Sequence, residues 1–243
     1  MCQTCRQISI RKFEPSRRLL LGAAASTLGL LLATAGRQGD EALPKPQNVL
    51  TPDASLERLR KGNARYVEGV ALRHDFKHER EVLSGGQNPF AAILSCADSR
   101  IAPYAFDSGR GDLFVCRVAG NFANDDTVAS LEYAVAELGT PLILVLGSRG
   151  AVNATTKSIK DGTTLPGHLP SLVAGLTPAV KAVSQQGGDV LANAIRQNVT
   201  DNVAKRRSKG PILSGAVEQG KLKVVGGIYR LRGWTSRNGW VTL

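Results

Sequence analysis

Cys96, Asp98 and Arg100 stand at alternate positions in Ser95-Cys96-Ala97-Asp98-Ser99-Arg100, directly after an apolar run, Phe90 to Ser95. A thiolate placed at a strand end is a good zinc ligand. Asp98 and Arg100 are near enough to pair as the chain turns, and such a pair keeps the carboxylate ionised and fixes its orientation. The same residues also fit a plainer pattern, a buried cysteine followed by a surface ion pair. The triplet alone leaves both readings open.

A second apolar run, Pro141 to Leu146, ends in Gly147-Ser148-Arg149-Gly150-Ala151, which contains no acid, histidine or cysteine. A loop that opens a helix leaves backbone N–H groups free, and these favour an anion. Arg149 adds a fixed positive charge, so Arg149 and Gly150 are candidate binders of a small anion. The competing reading is that Arg149 pairs with Asp98 and fills the space. Histidine is scarce: His74, His78 and His168 are the chain's three. His74 and His78 have i, i+4 spacing, which can hold a metal on a helix face but equally describes a solvated surface. Cys116, inside Leu113 to Val118, reads as a buried thiol, although two cysteines in an exported chain can also form a disulfide.

These residues need elements to position them. Thr51-Pro52-Asp53 opens a helix, with an N-cap hydroxyl, a proline in the first turn and an early acid. Asp125-Asp126 starts another, with Val128, Leu131, Val135 and Leu138 on one face and Gly139 as its stop. Strands are expected at Phe90–Ser95, Leu113–Val118, Pro141–Leu146 and Lys221–Tyr229. Residues 157–178, rich in Gly, Pro and Thr, read as a long loop, followed by helices at about 178–187, 190–208 and 211–218. Apolar strands alternating with helices predict an α/β fold, a mostly parallel central sheet flanked by helices. In such sheets ligands sit at the carboxyl ends of the strands, where Cys96 to Arg100 and Ser148 to Gly150 both fall.

The N-terminus has a different character. Residues 1–35 carry Ser16-Arg17-Arg18-Leu19-Leu20, an apolar stretch from Leu19 to Ala35, and Ala33-Thr34-Ala35 as a small-x-small cleavage site. This predicts a twin-arginine export signal and a periplasmic destination. An uncleaved signal would instead anchor the chain to the membrane. Residues 36–50 read as a linker and 51–243 as one domain. Cleavage removes five basic residues and one acid, taking the net charge from +11 to +7. The basic residues are scattered, aromatics are 5% and no zinc-finger spacing occurs, so nucleic-acid binding is not expected.

Five blocks carry a resemblance: KGNARYVEG, NPFAAILSCADSRIAP, FDSGRGDLFVCRVAGN, SLEYAVAELGTPLILVLG and GKLKVVGGIY. In this order, over about residues 51–231, they resemble the β-class carbonic anhydrases. The resemblance implies that family's fold, a homodimer or higher homo-oligomer, and an N-terminal helix packed on a partner subunit. It also implies zinc held by Cys, His and Cys, which lowers the pKa of bound water so that hydroxide attacks carbon dioxide. The first ligand position is Cys96, and the Asp–Arg dyad falls on Asp98 and Arg100. The remaining ligands belong to a Gly-His-x-x-Cys-Gly block. Here Ser148 takes the His position and Ala151 the Cys position. The expectation is a member that has lost zinc-dependent hydration, carries no cofactor and binds bicarbonate or another small anion, or serves as an assembly partner. Ser148→His with Ala151→Cys is expected to restore zinc affinity. One alternative is an active carbonic anhydrase with a non-standard zinc site; another uses Cys96 as a nucleophile activated by Arg100 or Arg149.

Overall fold

The computed structural model describes residues 49–101 and 103–229. Expectations for residues 1–48, the twin-arginine segment among them, and for 230–243 lie outside these.

Four strands form the sheet: β1 (Ala91–Ser95), β2 (Leu113–Arg117), β3 (Leu142–Gly147) and β4 (Lys223–Ile228). All pairings are parallel, in the order β2-β1-β3-β4. Every residue of β1 and β3 is buried, and apart from Ser95 at the end of β1 none carries a polar side chain. Side chains alternate between the faces, as the two-residue strand period requires. Ala91, Ile93, Leu142 and Leu144 enter one core; Ala92, Leu94, Ile143 and Val145 enter the other.

The first core is closed by α1 (Pro52–Glu68). The Thr51 hydroxyl caps this helix by accepting from Ala54 N at 3.2 Å. Leu56 and Leu59 of α1 are buried with Phe90, Ile93 and Leu144 of the same chain. Burying each such side chain contributes about 1.5–3 kcal/mol. This corrects the expectation that the N-terminal helix leaves its own core for a partner. Gly62 makes the close approach possible: a Cβ there would lie 1.8 Å from Phe106 O.

The opposite core is closed by α3 (Asp125–Ala136), α6 (Val190–Ser208) and α7 (Ile212–Glu218). α4 (Gly150–Asp161) and α5 (Leu169–Val183) build a third cluster with α6. The long loop expected at 157–178 is therefore mostly helical, with 162–168 left as connection. Leu176, Ala179, Val180 and Val183 give α5 a buried face at helical spacing. That burial outweighs Pro178, which sits inside the helix and removes a backbone donor. A short helix not expected from sequence, α2, spans Phe76–Leu83. His74 precedes α2, so His74 and His78 do not share a helix face. The Nδ1 of His74 lies 3.1 Å from Glu79 Oε1 instead.

Candidate active-site cavity

The strand order places the site. From β1 the chain moves outward to β2, then crosses to the other side of β1 to form β3. The loops leaving β1 and β3 consequently diverge, opening a crevice at the carboxyl ends of the two strands. Cys96–Ile101 follows β1, and Ser148–Arg149 follows β3 and leads into α4.

The first loop is held from both sides. Asp98 Oδ1 accepts from Arg100 Nε at 2.9 Å and from Arg100 N at 3.1 Å, while Oδ2 accepts from Nη2 at 2.6 Å. This fork holds the Asp98 carboxyl below the ordinary aspartate value, opposed by partial burial and helped by the more distant charge of Arg117. Behind the loop, Arg117 at the end of β2 donates to Cys96 O at 3.1 Å and, through Nη2, to Asp98 O and Ile101 O at 2.7 Å each. One guanidinium thus ties together three carbonyls of the dyad loop. Cys96 is 2% exposed, and its Sγ accepts from Gly120 N at 3.3 Å.

The second loop is open to a ligand. Arg149 is the N-cap residue of α4, makes no side-chain cap, and no acid stands in the first turn. Ser148 is 4% exposed, and its hydroxyl oxygen is buried without a hydrogen-bond partner among the described residues. A Cβ on Gly150 would lie 3.2 Å from Asp98 Oδ2, so the dyad comes close to the start of α4. Between the loops lies a cavity of about 640 Å³, walled by Asp98, Arg100, Ser148, Arg149, residues of early α6 and the end of β4. Asp189 accepts from Ala192 N at 3.0 Å and so caps α6 on one wall. Arg149 and Arg196 have no ion-pair partner among the described residues.

Asp98, Arg100, Ser148 and Arg149 are therefore brought to one cavity. Asp98 pairs with Arg100 rather than with Arg149, which replaces the competing salt-bridge reading. Gly150 lies at the same helix start. Cys96 and Ala151 do not line the cavity: the thiol turns into the sheet core, and Ala151 packs on the cluster of Val152, Leu176 and Ile195. The packing of Ala151 counts against the expectation that Ser148→His with Ala151→Cys rebuilds a zinc site, because the new thiol would start from the side of the helices. The burial of Cys96 likewise removes the access a thiolate nucleophile needs. Cys96 and Cys116 are free thiols, and burial pushes the Cys116 thiol up. Among the described residues no three His, Cys, Asp or Glu side chains gather where a metal could sit. A thiol engaged by a backbone N–H, a hydroxyl and an arginine-paired carboxylate do not fit zinc, which takes four ligands drawn from Cys, His and carboxylate. Sequence reading missed Arg117, Asp189 and Arg196. The one signal for Arg117 was a charge closing an otherwise apolar strand.

The family model for carbonic anhydrase matches residues 91–233. Carbonic anhydrase 2 of Mycobacterium tuberculosis is 37% identical over 184 residues, covering 74% of this chain and 89% of that protein. A carbonic anhydrase of Mycolicibacterium smegmatis is 35% identical over 184 residues, with the same coverage. Among solved structures, the β-carbonic anhydrase CcaA superposes with a TM-score of 0.55 at 29% identity, covering 73% of this chain and 84% of that one. The parallel sheet, the Asp98–Arg100 fork after β1 and these likenesses together place the chain in the β-class carbonic anhydrase family.

Proposed function

We propose that this chain is an exported member of the family that no longer hydrates carbon dioxide on zinc and uses the cavity to bind bicarbonate or a similar small oxyanion. The observation that carries this reading is the unpartnered, buried hydroxyl of Ser148 at the uncapped start of α4. A hydroxyl donor, free backbone N–H groups and the guanidinium of Arg149 suit an oxyanion and disfavour a cation. Ser148 stands where the family pattern has an imidazole, no His or Cys lines the cavity among the described residues, and no three His, Cys, Asp or Glu gather there. The dyad keeps its family form: Asp98 holds Arg100 in a fork, and both line the cavity.

The test combines metal content with ligand binding on the purified mature chain. Zinc well below one per chain and no measurable hydration are expected. Bicarbonate at constant ionic strength should raise the melting temperature saturably, and Arg149→Ala should abolish that rise while leaving the fold intact. An unchanged melting temperature overturns the anion reading. The names of the relatives favour a second reading, an active carbonic anhydrase with an unusual zinc site. One tightly held zinc per chain with rapid hydration decides for it.

The twin-arginine segment supports periplasmic export, and the small-x-small pattern Ala33-Thr34-Ala35 supports cleavage and release from the membrane rather than anchoring. The half-buried edge strand β2 supports a homo-oligomer, at least a dimer.

A further inference from the structure

The cavity is much larger than bicarbonate needs. At about 640 Å³ it falls within the range of about 300–1,000 Å³ that encloses whole organic ligands. Its lining is also mixed in chemistry. Beside Ser148 and Arg149 at the start of α4 stand the apolar side chains of Ile101, Leu191, Ile195 and Ile228, with Asp189 and Arg196 flanking those of α6. A four-atom oxyanion seated at α4 leaves these apolar side chains against water. We propose that the cavity takes an organic carboxylate, with its carboxylate on Ser148 and Arg149 and its hydrocarbon body along Leu191 and Ile195.

This rests on the reading of the cavity as an anion site and adds the substrate class. Charge complementarity favours an anion: against the carboxylates of Asp98 and Asp189, the cavity is lined by Arg100, Arg149 and Arg196, and Arg149 and Arg196 are without ion-pair partners among the described residues. Arg100 is already occupied by Asp98. Leu191, Ala192 and Ile195 of this lining belong to α6, whose first turn is held by the Asp189 cap, so they form a preformed surface. A preformed apolar wall beside fixed donors recognises an acid with an aliphatic or aromatic body.

Binding of acetate, butanoate, hexanoate and bicarbonate to the mature chain, by calorimetry at constant ionic strength, tests the proposal. Each added methylene that reaches the apolar wall should tighten binding roughly fourfold. Arg149→Ala should weaken the whole series alike, whereas Leu191→Asn should flatten its dependence on chain length. Bicarbonate binding with no dependence on chain length overturns this inference and leaves the anion reading standing. No binding of any of these anions overturns both. A chain-length dependence that survives in folded Leu191→Asn places the hydrocarbon elsewhere and also overturns the inference.

Discussion

Arg117 is the side chain on which the geometry of the dyad loop most depends. Its guanidinium satisfies three carbonyls between Cys96 and Ile101. Arg117→Met leaves those carbonyls without their donor and is expected to cost about 3 kcal/mol in urea denaturation, since hydrogen bonds from charged groups contribute roughly 1.5–3 kcal/mol. The same variant should bind bicarbonate less well. Arg117→Lys restores the charge but not the fork, so it should recover only part of either loss. Asp98 sets a pH dependence. Its carboxyl titrates lower in the folded chain than in the unfolded one, because Arg100 grips the charged form. That stabilisation is present above the ordinary aspartate value of about 3.9 and fades as pH falls through the lower folded value. Melting temperatures of the wild-type chain and Asp98→Asn should differ by a constant amount from pH 7 to about pH 5, then converge below about pH 3.9. A gap that persists in strong acid would assign the difference to packing instead.

Helix α1 lies on the sheet of its own chain, and that placement has a thermodynamic signature. Leu59 is fully buried between α1 and the strands. Leu59→Ala should destabilise the fold by about 2–5 kcal/mol, through lost burial and the cavity left behind. The loss should not vary with protein concentration, whereas a helix docked on a partner would give a concentration-dependent loss. Helix α4 governs the question of metal. Its first residue, Gly150, abuts Asp98, and one residue further on Ala151 already faces the helical cluster. About 100° of rotation per residue separates the two directions. Ser148→His with Ala151→Cys is therefore expected to fold and still take up no zinc. Stoichiometric zinc in that double variant, measured by elemental analysis, would contradict this orientation of α4.

For the molecule as a whole, the sheet has one guarded edge and one open one. β4 is buried at nearly every position, whereas β2 is half-buried along its length. An edge of this kind needs protection, and the proposed homo-oligomer would supply it through a second copy of the chain. Sedimentation at micromolar concentration should give a dimer or larger species; a stable monomer would refute the assembly. With two arginines outside any ion pair among the described residues lining the cavity, in a chain of net charge +11, the proposed anion binding would be sensitive to ionic strength, so the ligand tests need constant salt.

The strands and the site's first loop were legible in the sequence because their signals are local. An apolar run of five or six residues bounded by turn signals reads as a buried strand in such an alternation, and Asp98 and Arg100 are two positions apart, near enough to pair as the chain turns. The absence of imidazole and thiolate after β3 was equally plain, since it depends on residue identity alone. Helix α5 was not legible. Pro170, Pro178 and Gly175 argue against a helix locally, and only packing on α4 and α6 overrides them. Nor could sequence say that Ala151 faces away from the cavity, because that depends on the rotational phase of a helix whose first residue is fixed by tertiary contact. Arg117, Asp189 and Arg196 stand far from Ser148 along the chain and meet the site only because the parallel crossovers bring the ends of β1, β2 and β3 and the start of α6 to one rim. Residue types decided that Ser148 and Ala151 stand where the family pattern has His and Cys; the crossing of the strands and the phase of α4 decided which groups face the cavity.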